Sequence, residues 1–174
     1  MEYIFETAHL RVRKFLPEDA EPLYKNHLEE EVKLWIPNES YADLEEAKGA
    51  IGFFADCVTN DHLPYVLAVE SKETSELIGD TGLNEVEGAD GEVEIGYTIC
   101  KSNSGRGYAT ELVEAMTAFA VSKFQVHVLY GRVMHGNDAS VRVLEKNGYR
   151  FVREEFGAED DLSNKGMLVY KKEI

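Results

Sequence analysis

Apolar residues alternate with polar ones over several short stretches of this chain and recur every three to four residues over others, so strands and helices are interleaved. Leu10 and Val12 alternate with Arg11 and Arg13, which predicts a first strand over Leu10 to Phe15. Pro17 then opens a helix whose apolar stripe is Ala20, Leu23, Tyr24, His27 and Leu28. His27, lying on that stripe, reads as a packed, hydrogen-bonded residue. A second helix is expected from Ser40, where Ser40 and Asp43 resemble a capping box, with Leu44, Ala47, Ile51, Phe54 and Val58 along one side. The Trp35-Ile36-Pro37 segment links the two. Strands follow at about Tyr65 to Glu70, Glu76 to Val86 and Val93 to Cys100, and the short turns near Ser71–Ser75 and Gly88–Gly91 make them an antiparallel meander. A helix over 106–123, a strand from Val126 to Met134, a helix after Asn137 and a closing pair, Tyr149–Phe156 and Met167–Lys171, complete the pattern. The run from Val93 through the 106–123 helix to Met134 is predicted to be a parallel crossover. The fold class is therefore α/β (α+β), a mixed and largely antiparallel twisted sheet of about seven strands flanked by about four helices.

Composition narrows the reading. The 174 residues suit a single domain over residues 1–174, since no Pro/Gly/Ser-rich linker, repeat or low-complexity run divides them. With 33 acidic and 18 basic side chains the formal net charge is −15, which argues against nucleic acid as a partner. The same charge steers cations such as amines toward the protein, although acidity also serves solubility alone. Cys57 and Cys100 have no CxxC or histidine spacing around them, so they read as reduced, buried thiols and no metal is expected. No charged-then-apolar leader and no membrane-length apolar run is present, and a soluble, cytoplasmic protein is expected.

The chemistry concentrates in Gly91 to Ala109. Val93, Ile95, Tyr97 and Ile99 share one face of a strand, and Glu92, Glu94, Gly96 and Thr98 the other. Ala109, Leu112, Val113, Met116 and Ala120 then recur at helical spacing, so the turn Ser104-Gly105-Arg106-Gly107-Tyr108 opens a helix. A helix start offers free N–H groups and partial positive charge to a phosphate, glycines admit the ligand to the main chain, and Arg106 adds a full charge. Glycines at this spacing also serve a backbone turn with no ligand at all.

A second segment changes the balance: Asn137-Asp138-Ala139-Ser140-Val141-Arg142-Val143-Leu144-Glu145-Lys146-Asn147-Gly148-Tyr149. Together the two segments resemble the cofactor-binding motifs of the GNAT superfamily of N-acetyltransferases, in particular its RimJ/RimL-like branch. The resemblance runs from about Leu10 to about Tyr170 and is strongest between Glu92 and Tyr149. Ser104 stands where that family has Arg or Gln, and Lys101 where a proline is common. Ser104 retains a hydroxyl and a main-chain N–H as donors, so weaker diphosphate contacts are expected.

The resemblance implies a GNAT-like fold and acetyl-CoA as acyl donor. It puts Ser104, Gly105, Arg106, Gly107, Tyr108 and Ala109 on the diphosphate and the strand backbone around Tyr97, Thr98 and Ile99 on the pantetheine arm, in a gap between two splayed strands. Asn137 would contact that arm as well as capping its own helix, and Ser140 would give a hydroxyl to the leaving thiolate, or else only satisfy local backbone. Acetyl transfer to an amine also needs a base. Glu94 is the leading choice, with Glu92 beside it on the same strand face, where two carboxylates raise one another's pKa; His135 is a rival, and a merely solvated face is the alternative for both glutamates. The implied function is direct transfer of acetyl from acetyl-CoA to a primary amine in a ternary complex, the amine being a protein N-terminus of the ribosomal-protein kind. The alternatives are a small-molecule amine (polyamine, amino acid or aminoglycoside) and a non-catalytic acyl-CoA sensor. The sequence leaves the acceptor open, and a monomer or a homodimer.

Overall fold

The computed structural model describes residues 2–156 and 166–174. Its strands are β1 (Phe5–Glu6), β2 (Leu10–Arg13), β3 (Tyr65–Ser71), β4 (Leu77–Glu85), β5 (Glu92–Ile99), β6 (Val128–Met134), β7 (Arg150–Glu155) and β8 (Met167–Glu173). Its α-helices are α1 (Ala20–His27), α2 (Glu30–Trp35), α3 (Leu44–Thr59), α4 (Tyr108–Phe124) and α5 (Asp138–Lys146). The eight strands form one sheet in the order β1-β2-β3-β4-β5-β6-β8-β7, antiparallel throughout except for β5 and β6.

Alternation along β3 shows how the layers are specified. Tyr65, Leu67 and Val69 point into the larger core, with Leu112, Val113 and Met116 of α4 and Leu144 of α5, while Ala68 joins Phe15, Leu23 of α1 and Ile51 of α3 on the opposite face. Leu67, Leu112, Met116, Leu129 and Leu144 have no exposed surface, each contributing about 1.5–3 kcal/mol by burial. The sheet is thus covered by α4 and α5 on one face and by α1 and α3 on the other. The second face also buries an ion cluster: Arg13 makes a two-pronged bond to Asp19 at 2.6 and 2.9 Å and reaches Glu70 at 3.2 Å.

Three elements depart from the sequence expectation. The strand β1 is only two residues long, too short for alternation to show. Helix α2 buries Val32 alone, so no apolar stripe announces it. Helix α3 begins at Leu44 and not near Ser40, because Asp43 is its N-cap: the Asp43 carboxylate accepts the Glu46 N–H at 2.9 Å, and Glu46 reaches back to the Ala42 N–H.

The crossover from β5 through α4 to β6 is parallel, as expected, and its ladder is short. Glu92, Val93 and Glu94 pair with Val128, Leu129 and Tyr130, and beyond them β6 pairs only with β8. The ends of β5 and β6 therefore part, and the site forms where they part.

Candidate active site

A cleft of about 420 Å³ opens at the free end of β5. It is lined by Tyr97, Thr98 and Ile99 from β5, by Ser104, Gly105, Gly107, Tyr108 and Ala109 at the start of α4, and by Asn137 and Ser140 at the start of α5. Gly105 (φ 73°) and Gly107 (φ 81°) hold left-handed backbone that other residues adopt only with strain, and nothing lies within 4 Å of where a Cβ would sit on either. Gly107 is the N-cap of α4 and brings no side chain to it, so the first-turn N–H groups stay free for an anion. The start of α5 meets the same cleft, with the Asn137 Oδ1 accepting the Ser140 N–H at 3.3 Å.

Two loop residues behave otherwise than expected. Both donors of Ser104 are spent on its own turn: Oγ and N–H each bond the Lys101 carbonyl, at 2.8 and 3.1 Å. Arg106 turns away from the cleft to pair with Glu73 at 3.2 Å. The groups this loop leaves free for an anion are therefore its main-chain N–H groups, and Arg142 and Lys146 of α5 also line the cleft.

A second cavity, about 430 Å³, adjoins the cleft through Tyr97, Asn137 and Ser140, which line both. Glu94 lies in its wall with Asn84, Glu39, Arg132 and Glu155. Loss of water around Glu94 raises its carboxyl pKa; Arg132, at 3.5 Å, opposes the rise and Glu155 adds to it. The like charge that acts on Glu94 is thus Glu155 and not Glu92, which does not line the cavity. Strand pleating puts Glu92 and Glu94 on one face, but the face is long enough to separate their surroundings. His135 is well exposed, 3.9 Å from Glu154, and lines neither cavity.

Ser140 and Tyr97 meet where the cavities join. The Asn137 amide donates to Ser140 Oγ at 3.3 Å, which leaves the serine's own hydrogen free to point elsewhere. The Tyr97 hydroxyl donates to the Ser140 carbonyl at 3.4 Å, and burial pushes its pKa up to about 12, so it is a donor at neutral pH. Its phenol is a functional group that sequence reading, which valued only the Tyr97 main chain, passed over.

The sequence and the fold that carry this cleft have counterparts in known proteins. A family model described as an acetyltransferase (GNAT) domain matches residues 9–150. The chain belongs to the GNAT acetyltransferase family. Among curated relatives, the uncharacterized N-acetyltransferase p20 of Bacillus licheniformis is 27% identical over 154 residues, covering 88% of this chain and 84% of that protein. Among solved structures, the ribosomal-protein-S5-alanine acetyltransferase of Vibrio fischeri superposes with a TM-score of 0.84 at 18% identity, covering 97% of this chain and 95% of the other. RimL, a ribosomal L7/L12 alpha-N-protein acetyltransferase in complex with coenzyme A, gives 0.83 at 17% identity, covering 99% and 98%.

The GNAT chain's own residues fit a diphosphate-bearing thioester: a glycine cradle open to the cleft, free N–H groups at the α4 terminus, and unpaired β5 edge beyond Glu94. Cys57 and Cys100 are buried and free. Among the described residues no group of three His, Cys, Asp or Glu could hold a metal ion, and no helix is long and apolar enough to cross a membrane.

Proposed function

We propose that this GNAT protein acetylates the primary amine at the end of an extended acceptor, a polypeptide N-terminus, with acetyl-CoA bound in the β5–α4 cleft. The observation that carries the proposal is the shared lining: Glu94 stands in a cavity whose walls Asn137, Ser140 and Tyr97 are also walls of the cofactor cleft. An ammonium held beside Glu94 gives one proton to its carboxylate, and the neutral amine attacks the thioester carbonyl carbon. The carbon–sulfur bond then breaks, and Ser140 Oγ–H, its oxygen already bonded by Asn137, gives its hydrogen bond to the departing sulfur. The products are an N-acetylated acceptor and coenzyme A: the proton that nitrogen sheds as the amide forms ends on the coenzyme A sulfur, and the proton that Glu94 took passes to water. Two observations support an extended acceptor. A further cavity of about 660 Å³ under α1 and α3 shares Asn38, Glu39, Asn84 and Gly96 with the Glu94 cavity, so the path continues past the reacting centre. The Vibrio fischeri protein and RimL, similar in fold, are named for protein acceptors.

The test is thiol release from acetyl-CoA with peptides bearing free N-termini, the same peptides N-blocked, polyamines, amino acids and aminoglycosides. Turnover is expected with free peptides and not with blocked ones. Turnover confined to one of the small amines overturns the peptide assignment, and none with any amine overturns the catalytic one.

A further inference from the structure

His27 closes α1 with its ring buried, 3% exposed, and both ring nitrogens are engaged. Nδ1 lies 2.8 Å from the Glu39 carbonyl oxygen, which can only accept, so Nδ1 carries a proton. Nε2 lies 2.8 Å from Oδ2 of Asp80 on β4. That same Oδ2 accepts the Thr98 hydroxyl of β5 at 2.8 Å, and the Asp80 N–H donates to Thr98 Oγ1 at 3.3 Å. With Nδ1 protonated, Nε2 donates to Asp80 Oδ2 when the ring is an imidazolium, the form that the Asp80 contact favours against burial.

These bonds run from the turn Pro37–Glu39 through α1 to β4 and β5. The turn has no fully buried residue, and the His27 bond to the Glu39 carbonyl ties it to the end of α1. Asn38 and Glu39 nevertheless line both acceptor-side cavities. Thr98, at the other end of the chain of bonds, lines the cofactor cleft.

We propose that the His27 imidazolium is a positioning residue that clamps the Pro37–Glu39 turn onto the sheet and so holds the Glu39 carboxylate over the acceptor path, where it receives the incoming ammonium. The groups facing the ring are Asp80 from β4, Thr98 from β5, Glu39 from the turn and Tyr41, whose ring centroid lies 5.2 Å away. Burial opposes charge on His27, but the Asp80 bond and attraction, then Glu39, outweigh it, and the pKa is raised above 6.5. The clamp is therefore complete below the unfolded-state value and is lost as pH rises through the higher folded one.

Nitrogen-15 spectra of the histidines in the full chain, with hydrogen exchange of the Glu39 amide, test this. That amide bonds the Ile36 carbonyl at 3.0 Å inside the turn. At pH 7 both His27 nitrogens should be protonated. Glu39 protection, corrected for the intrinsic pH dependence of exchange, should fall at the pH where His27 titrates. His27→Gln should lower that protection about tenfold at pH 6.5, the scale of one charge-assisted hydrogen bond, and leave amides of α4 unchanged. With the peptide used for turnover, the same variant should raise the amine KM about tenfold and keep the acetyl-CoA KM within twofold. A neutral His27 at pH 7, a Glu39 amide indifferent to pH and to the substitution, or an acetyl-CoA KM rising with that of the amine overturns the clamp. The functional arm rests on the acetylation reading; if exchange responds as stated while no amine is turned over, that reading has failed and the clamp has not. The titration of the unsubstituted protein decides the matter even if His27→Gln does not fold.

Discussion

Replacing Arg132 by alanine should push the working pH range of this enzyme upward. Glu94 can act as a base only when ionised, and its pKa is raised by burial and by Glu155 while Arg132 holds it down. Arg132 Nε stands 3.5 Å from Glu94 Oε2, which between unit charges at an effective dielectric constant of 20 is worth about 5 kcal/mol. Solvent removes most of that: Arg132 is 43% and Glu94 30% exposed, and the guanidinium is shared with Glu155, also at 3.5 Å. Pairs this accessible retain about 0.2–1 kcal/mol, and at about 1.4 kcal/mol per pH unit the middle of that range is about half a unit. Arg132→Ala is therefore expected to move the acid limb of kcat/KM up by about half a pH unit. Glu155→Gln removes the like charge and should move it down by a similar amount. Glu94→Gln should abolish the limb and cut kcat/KM about 100-fold, the usual scale of a lost general base, with a smaller defect at high pH where the amine arrives deprotonated. The assay is thiol release from pH 5 to 10, with His135→Ala as the exposed control that leaves the limb in place. The reasoning is refuted if Glu94→Gln keeps the parent profile while His135→Ala loses it, or if Arg132→Ala and Glu155→Gln move the limb in the same direction.

Gly107→Asp places bulk and negative charge at the mouth of α4, and should abolish the rise in Tm that acetyl-CoA produces by mass action; a folded variant with the full rise puts the diphosphate elsewhere. Ser140→Ala should lower kcat and leave acetyl-CoA affinity nearly unchanged, because a hydrogen bond given to the departing sulfur, as proposed, would strengthen as the bond breaks; a loss confined to affinity makes it a binding residue. Asp19→Ala strips the buried Arg13 of its two-pronged partner and the Leu16 N–H of its acceptor at 2.7 Å. It should cost about 3 kcal/mol, read as a Tm lower by about 6–12 °C, and a change within 2 °C would mean that Glu70 alone satisfies the guanidinium.

The fold was legible wherever burial is periodic. The alternation of Tyr65, Leu67 and Val69 and the helical spacing of Leu112, Val113 and Met116 are the direct imprint of one buried face. It was illegible where an element is held by something other than an apolar stripe. Helix α2 buries one side chain, and its edge carboxylates instead tie down the neighbouring loop: Glu29 accepts the Lys101 N–H at 2.9 Å, and Glu31 pairs with the Lys101 ammonium at 3.0 Å. The insertion of β8 between β6 and β7 is likewise a choice of partner, and alternation within a strand records which face is buried but not which neighbour lies beside it.

The same distinction divides the site. The proposed cofactor side relies on main chain, and main-chain recognition leaves a local signature: glycines, a helix start and an N-cap within a few residues of each other, all visible as a motif. The proposed acceptor side is lined by side chains from separate elements. Glu39 comes from a turn, Asn84 from β4, Glu94 from β5, Arg132 from β6 and Glu155 from β7, and each taken alone reads as one more member of a solvated face in a chain with 33 acidic residues. Burial is what separates them. Among the described Asp and Glu side chains, the two whose pKa is raised are Glu39 and Glu94, and both line the same cavity. Glu39 is exposed at its mouth, yet the surrounding protein strips water from its carboxylate, and Asp80 and Glu94 oppose its charge beyond what His27 offsets. A cavity that disfavours two of its own negative charges is one that a positive charge relieves. In the proposed function an ammonium entering between them would be stabilised by both, and would lower the pKa of each toward the ionised form that one needs to bind it and the other to take its proton.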